Sequence, residues 1–323
     1  MLASYVPNPY SDTTFWEFFL VLFQRIGYFL MGKGELSLAS DELQMAVLAS
    51  VAISGALVGS FLVLKRMTML ANALSHTILL GIVLVFLINP SDDLYYNIPL
   101  FLVASVLVGA ATAFLTEFLN STLNLQVDAS IGLTFTSLFA LGIVLITVLT
   151  RNAHIGTEVV MGNVDALQRE DLYWALGIAL FNAIFIYLFF KEYLITTFDS
   201  GLAQVIGFSP ALFSYLLMGQ TSITVVSGFR AVGVLMVLAL LTAPTLIARQ
   251  LTHRFKRLIL LACLIGILTA LIGVALSRHL LSVYGIALST GGVTVCVISA
   301  FYLITIILTR LYKQSYVSPH TSS

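Results

Sequence analysis

Residues 43–64 decide the fold class: they read LQMAVLASVAISGALVGSFLVL and contain no Asp, Glu, Lys or Arg. A helix needs about 20 apolar residues to cross the hydrocarbon of a bilayer. Further windows without acidic or basic residues follow at 67–91, 94–116, 129–150, 172–190, 200–229, 231–248, 258–277 and 280–309. Because lipid offers no water to backbone amides and the windows lack the alternation of β-barrel strands, the sequence predicts an all-α fold. We expect a polytopic transmembrane helical bundle of eight or nine spans.

The composition excludes the common classes of soluble protein. Charged residues make up 9% of the 323 residues, whereas soluble domains have about 25%. Hydrophobic types reach 59% and the mean hydropathy is +1.02. Soluble enzymes, nucleic-acid readers and disordered tails are therefore excluded. Fifteen basic residues balance fifteen acidic ones, so we expect no nucleic-acid partner.

The N-terminal segment is less certain to cross the membrane. Residues 15–31 are apolar but include Gln24 and Arg25, and a charge near the middle of a span costs about 2.5–3.5 kcal/mol on insertion scales. We expect an interfacial helix, or a further span if Arg25 snorkels or faces protein. The simplest partition is an N-terminal segment over 1–42, one transmembrane domain over 43–310 and a polar tail over 311–323.

The distribution of Lys and Arg predicts the orientation of the spans, because basic residues favour the cytoplasmic side. With the turn at 65–66 in the cytoplasm, the cytoplasmic loops hold Lys65, Arg66, Lys191, Arg249, Arg254, Lys256, Arg257, Arg310 and Lys313. The outer loops then hold Arg151, Arg169, Arg230 and Arg278. Arg230 lies either in a true outer loop or at a break in one long helical element.

His76 is the clearest candidate for chemistry inside a span. Asn72 precedes it by four residues, so the amide and the imidazole share one helical face. An amide oxygen and an imidazole nitrogen can bind a divalent ion such as Mn(II), Fe(II) or Zn(II). The alternative is a structural hydrogen bond between His76 and Asn72 across packed helices.

Other motifs point to structure rather than catalysis. Gly55 and Gly59 have GxxxG spacing, which favours close helix packing. The run at 27–34 approximates a Walker A loop but ends in Gly34 where a Ser or Thr would ligate Mg²⁺. HExxH, GxSxG and CxxC motifs are missing from the sequence, so we expect a protein that is not an enzyme.

Five segments share their order and spacing with a known family over roughly residues 43–310. They are GSFLVLKR at 59–66 running into ALSHTILLG at 73–81, DASIGLTFTSLFALG at 128–142, MGN at 161–163, Phe198-Asp199 with Ala203 and Gly207, and RAVG at 230–233 continuing to APTLIA at 243–248. Together they resemble the permease subunits of bacterial ABC importers for manganese, zinc and iron.

The resemblance implies the partners and the location of the chain. They are a cytoplasmic ABC ATPase dimer that hydrolyses ATP on a separate chain, an extracytoplasmic metal-binding protein, and a second permease copy that is identical or a paralogue. The lipid bilayer is the surrounding medium, and the location is the bacterial cytoplasmic (inner) membrane. No permanently bound cofactor is implied, and the transported ion is Mn, Fe or Zn.

The resemblance also implies roles for individual residues. The family carries an Asp and a His four apart on its pore face. His76 matches the His, whereas Asn72 stands at the Asp position and removes an anionic ligand. Coupling to the ATPase is implied for Phe198, Asp199, Ala203 and Gly207, on a short helix that Asp199 opens and that stops near Gly207. An ordinary interfacial loop is the alternative there.

The sequence therefore predicts a metal-importer permease whose access alternates under the control of a separate ATPase. Three alternatives remain: a secondary cation transporter, an ABC permease for a metal chelate or cobalamin, and a non-transporting membrane scaffold. A secondary transporter normally has acids or bases deep in the bundle, and the spans here have almost none.

Overall fold

The computed structural model describes residues 8–31, 38–88, 98–150 and 164–317, and every regular element within these ranges is helical. The helices are α1 (Phe15–Leu30), α2 (Ser40–Leu64), α3 (Thr68–Ile88), α4 (Ile98–Leu123), α5 (Val127–Thr150), α6 (Arg169–Leu188), α7 (Phe190–Phe198), α8 (Ser200–Ile206), α9 (Pro210–Val232), α10 (Val234–Leu251), α11 (Phe255–Tyr284) and α12 (Thr290–Val317). One 3₁₀ turn, Val164–Ala166, precedes α6.

The helix lengths confirm a multi-pass membrane protein. Seven helices in the described ranges are long and apolar enough to cross a bilayer, and they belong to α2, α5, α6, α9, α10, α11 and α12. Helices α3 and α4 have 21 and 26 residues, which correspond to about 32 and 39 Å of helix and also match a bilayer. The all-α prediction is confirmed, and these nine helices agree with the upper predicted number of spans.

Two of the uncharged windows do not coincide with single helices. Window 200–229 divides into α8 and α9, where Pro210 takes the first helical position of α9. Window 280–309 begins inside α11, which continues to Tyr284 and ends at Gly285 in the left-handed conformation. Glycine, serine and proline end helices without charge, so a search for uncharged windows does not detect these breaks.

Arg230 does not lie in an outer loop. It falls within α9, which continues to Val232, and α10 begins directly after Gly233. Gly233 has a φ of 82°, a conformation that side chains other than glycine rarely adopt. A Cβ atom at Gly228 would meet Val237, so the two helices fold back on each other at this point. Of the two alternatives for Arg230, the structure agrees with the break between consecutive helical segments, which is a single-residue turn at Gly233.

Helix α2 forms the centre of the bundle and is buried over most of its length. It packs against α6, α9, α10 and α11. Gly55 lies against the backbone of Leu240 and Leu241, and a Cβ at Gly59 would overlap the carbonyl of Leu241. Small residues on α2 therefore allow α10 to approach at backbone distance, the contact that GxxxG spacing permits between membrane helices.

Polar contacts connect helix α1 to the N-terminal end of α2. The Arg25 guanidinium pairs with Glu42, and the Tyr10 hydroxyl donates to the same carboxylate at 2.9 Å. Burial, followed by the bond to Glu42, raises the pKa of Tyr10 well above its usual value. With 16 residues, α1 is about 24 Å long and shorter than the hydrocarbon. Whether α1 is interfacial or a further span stays a prediction, and Arg25 faces protein through its pair with Glu42.

Candidate metal pathway and coupling surface

Helix α3 places Asn72 and His76 in its N-terminal half, which is the cytoplasmic half of the span in the predicted orientation. Counted from Thr68 at the start of α3, Asn72 lies about 6 Å and His76 about 12 Å into the helix. They are one helical turn apart and therefore share a face. Asn72 is exposed on the single chain and His76 is half-buried.

The imidazole of His76 lies against two aromatic rings of α5. Its centroid is 5.2 Å from the ring of Phe135 and 5.6 Å from the ring of Phe139. These two rings stack on each other at 5.9 Å. Contacts of this kind hold a ring in one orientation, so α5 forms a wall behind the imidazole.

The ring nitrogens of His76 remain available in the described part of the chain. Neither His76 nor Asn72 has a side-chain hydrogen bond or ion pair with any residue in the described ranges. The alternative prediction of a structural hydrogen bond between His76 and Asn72 is therefore not seen here. Both groups are free to bind a ligand from outside the chain.

One chain alone offers few donors for a metal ion. No group of three or more His, Cys, Asp or Glu residues comes together among the described residues. His76 and Asn72 contribute one nitrogen and one oxygen, both neutral when they bind metal. A site of this kind is weak unless further donors converge on it, which suits an ion in transit better than a permanently bound one.

Phe135 and Phe139 are parts of the site that the sequence reasoning missed. Both lie in segment 128–142 and are four residues apart, so a pair of rings on one face of α5 could have been read from the spacing. The sequence alone does not show that α5 packs against α3. The contact of these two rings with His76 could therefore not be predicted.

The short helix between α7 and α9 is present as the residues indicate. The Asp199 carboxylate accepts a hydrogen bond from the Leu202 amide at 2.9 Å and opens α8. Gly207, with φ of 97°, ends it, and the Phe208 amide donates to the Ala203 carbonyl at 2.8 Å. The contacts at its two ends define α8 as a helix of seven residues with both ends capped.

Helix α8 has one anchored side and one open side. Ala203 is fully buried against the bundle, whereas Val205 is 86% exposed. Phe198, Leu202 and Ile206 are also exposed around it. In the predicted orientation this apolar surface faces the cytoplasm. Exposed apolar patches in water mark interaction sites.

A buried polar network lies inside the bundle, and sequence reasoning did not single it out. The Asn182 amide nitrogen on α6 donates to the hydroxyls of Ser54 and Thr224, both at 2.7 Å. The Gln220 amide donates to the Asn182 carbonyl oxygen at 3.4 Å, and the Tyr193 hydroxyl donates to Gln220 at 2.8 Å. Amides inside uncharged windows were the available signal, since buried polar groups need partners.

Comparison with known proteins identifies the family. The model of the ABC 3 transport family matches residues 39–309. The chain belongs to this family. A protein of Chlamydia muridarum named "probable metal transport system membrane protein" is 37% identical over 93% of this chain and 94% of its own length. The manganese transport system membrane protein MntD of Bacillus subtilis is 37% identical over 78% of this chain and 88% of its own length.

A solved structure agrees with this assignment. PsaBC from Streptococcus pneumoniae, solved in complex with a Fab, matches with a TM-score of 0.69 and 27% identity over 81% of this chain and 89% of that chain. The resemblance inferred from the five segments is thereby confirmed, although MGN at 161–163 lies outside the described residues.

Membership in the ABC 3 transport family determines the class of the protein. The chain is the membrane-spanning permease of a bacterial ABC transporter in the inner membrane. It is a transport subunit and not an enzyme, since the ATPase is a separate partner. This assignment disfavours the alternative of a secondary cation transporter.

Proposed function

We propose that this permease imports a divalent transition-metal ion, with manganese as the first candidate and iron and zinc as competitors. Relatives along most of the chain carry manganese transport in their names. His76 and Asn72 supply donors that suit such ions, and no partner within the described residues occupies them. The exposed Asn72 beside an unpaired imidazole within a span is the observation that carries the proposal.

The metal path requires a second copy of the permease. A divalent ion loses water on entering a low-dielectric bundle, and protein donors must replace it. One copy offers His76 and Asn72, and a second copy placed across a two-fold axis doubles the set to four donors. Neutral donors hold a dication less firmly than carboxylates do, which favours release over trapping.

Transport is driven by ATP on the partner chains. Closure of an ATPase dimer pulls on α8, whose open apolar side faces the cytoplasm. Phe198 and Asp199 lead into this helix, and Ala203 and Gly207 anchor and end it. An access switch also requires different metal affinities in the two states. An extracytoplasmic metal-binding protein delivers the ion from the outer side.

Uptake by the complete system tests the proposal. The permease, its ATPase and its binding protein are reconstituted in vesicles, and accumulation of Mn²⁺ is measured with Fe²⁺ and Zn²⁺ as competitors. We expect His76→Ala to abolish uptake while the ATPase still copurifies. The matched control is His253→Ala, because His253 is exposed in the turn between α10 and α11.

Two results would contradict the proposal. Normal uptake by His76→Ala would remove His76 from the metal path. Preference for a metal chelate or cobalamin over the free ions would reassign the cargo.

A further inference from the structure

An open pocket lies at the cytoplasmic end of the bundle, apart from the metal path. Its volume is about 330 Å³, and three parts of the chain form its walls. They are the turn between α2 and α3, the junction of α7 and α8, and the first turns of α9. Phe198 of the proposed coupling segment lines one wall, but the proposed transport mechanism gives the other walls no role.

Lys65 brings a positive charge into the pocket without a compensating carboxylate. Its ammonium donates to the Ser214 hydroxyl at 3.1 Å, and that hydroxyl donates in turn to the Pro210 carbonyl at 2.9 Å. No ion pair to Lys65 exists among the described residues. Burial lowers the pKa of Lys65, as expected for a cation that has lost water and gained no anion.

The acidic residues nearest in sequence to the pocket, Glu192 and Asp199, do not supply the carboxylate that Lys65 lacks. Glu192 lies on α7 and Asp199 opens α8, but neither lines the pocket. The Asp199 carboxylate is already engaged by the Leu202 amide. Among the residues that the structure describes, the pocket walls therefore contain cations and hydroxyls and no acid.

Arg66 occupies a position at which glycine would be more stable. Its φ is 58°. The Met67 amide donates to the Leu62 carbonyl at 2.9 Å, and the Arg66 amide to that of Val63 at 3.3 Å. This pattern normally places glycine at the left-handed residue, because a side chain there is strained. The strained residue instead adds a second cation to the pocket.

A hydroxyl group without a partner completes the set. The Thr197 side chain lines the pocket, and its buried hydroxyl oxygen has no hydrogen-bond partner among the described residues. A buried hydroxyl usually finds a partner. A ligand that accepts a hydrogen bond from Thr197 and neutralises Lys65 and Arg66 would satisfy all three groups at once.

We propose that this pocket binds a phosphate group. The two cations of the turn between α2 and α3, with hydroxyl groups on the other walls, suit a tetrahedral oxyanion, which accepts hydrogen bonds in several directions. Two sources supply this chemistry: the headgroup of an anionic lipid in the cytoplasmic leaflet, and free inorganic phosphate. The proposal does not depend on the identity of the cargo.

Binding to the purified full-length permease tests the proposal in two arms. In detergent, the affinity for inorganic phosphate is measured by calorimetry. In nanodiscs, phosphatidylglycerol is compared with phosphatidylcholine, and lipid retained by the protein is measured by native mass spectrometry. We expect binding in at least one of the two experiments. Binding in the first identifies free phosphate as a ligand, and binding in the second identifies an anionic lipid headgroup.

The variants are chosen so that unfolding cannot imitate the result. Arg66→Gly removes one cation and also relieves the strained backbone, so its thermal stability without ligand should not fall. We expect Arg66→Gly and Lys65→Gln each to weaken phosphate or lipid binding about tenfold. Arg257→Gln is the matched control, because Arg257 is exposed on the cytoplasmic side and does not line the pocket.

The three variants distinguish a specific site from unspecific attraction to basic residues. Binding that falls in Arg66→Gly and Lys65→Gln but not in Arg257→Gln supports the site. Equal losses in all three variants would reveal unspecific attraction to basic residues and overturn it. The absence of binding in both arms would overturn it as well.

Discussion

Asn72 sets the charge of the proposed metal path. It stands one turn before His76 and offers a neutral oxygen where a carboxylate would offer an anion. With neutral donors only, a dication entering the bundle recovers less of its lost hydration energy. The identity of this one side chain therefore shifts the balance between capture and release.

Asn72→Asp should favour binding of the metal ion over its release. We expect the KM for Mn²⁺ uptake to fall about tenfold, because a charged ligand adds about 1.5–3 kcal/mol, and the maximal rate to fall because release slows. Initial uptake rates at varied Mn²⁺ concentration measure both values. Asn124→Asp is the control, since Asn124 is exposed in the turn between α4 and α5. An unchanged KM in Asn72→Asp would place Asn72 outside the path.

At the residue scale, local spacing was predictable and long-range pairing was not. The shared face of His76 and Asn72 follows from helical periodicity alone. The rings of Phe135 and Phe139 behind His76 depend on the packing of α5 against α3. The left-handed φ of Arg66 could not be predicted from the sequence either, because the residues that usually signal this conformation are glycine and asparagine.

At the element scale, polar side chains hold specific helices together within an apolar bundle. Asn182 connects α6 to α2 and α9 through Ser54 and Thr224, and Gln220 extends the network to Tyr193 of α7. Apolar contacts between membrane helices compete with equally apolar lipid. Hydrogen bonds inside the bundle therefore favour one arrangement of helices over others.

Asn182→Ala should weaken this arrangement. It deletes two 2.7 Å hydrogen bonds and leaves Gln220 short of a partner. Interhelical hydrogen bonds in membranes contribute about 0.6 kcal/mol on average, so a loss of about 1–2 kcal/mol is expected. Unfolding in mixed micelles of increasing SDS content measures it. Gln250→Ala, an exposed amide at the end of α10, should change little. Equal stabilities of the two variants would show that the network is not stabilising.

Val205→Glu tests the proposed coupling surface. Val205 is 86% exposed on α8, so the substitution creates no clash within the chain. It introduces a charge at the centre of the apolar surface, and we expect it to abolish copurification of the ATPase. The permease itself should elute normally in size-exclusion chromatography. Leu251→Glu, exposed at the end of α10, is the control. Full ATPase recovery with Val205→Glu would place the contact elsewhere.

Elements also show which part of the fold the sequence determines. Every charge-free window contains a helix, because a lipid environment allows no other backbone structure for such a segment. The break near Arg230 was one of two alternatives from the sequence, and Gly233 is where it lies, whereas the break at Gly285 was not predicted, since an uncharged glycine turn does not interrupt a hydropathy pattern. The short helix α8 was predictable because Asp199 and Gly207 are explicit signals for the start and the end of a helix.

At the scale of the whole molecule, two ion pairs connect α1 and α11 to the N-terminal end of α2. At the outer end, Arg278 of α11 donates to Asp41 of α2 at 2.6 and 2.8 Å, and Arg25 of α1 pairs with Glu42. These contacts join the N-terminal segment to the bundle. On α3, by contrast, the exposed Asn72 has no such partner within the described residues. Facing lipid, a polar amide would be unfavourable, so a second copy is the expected cover.

Cross-linking tests this arrangement in the intact membrane. The native thiols Cys263 and Cys296 are first replaced by serine, because Cys296 is exposed and would react. Asn72→Cys in this background should then give a covalent dimer with a short bis-maleimide, since two copies that share one ion hold these positions close together. Leu264→Cys, exposed on α11, is the control and should remain monomeric.

The same experiment distinguishes the possible assemblies. Homodimers formed by Asn72→Cys alone support two identical permeases around the metal path. If cross-links form only when a related permease is coexpressed, the second half of the path belongs to that paralogue. A monomer in both cases, with uptake still intact, would mean that Asn72 faces away from any dimer axis, and the four-donor path would have to be abandoned.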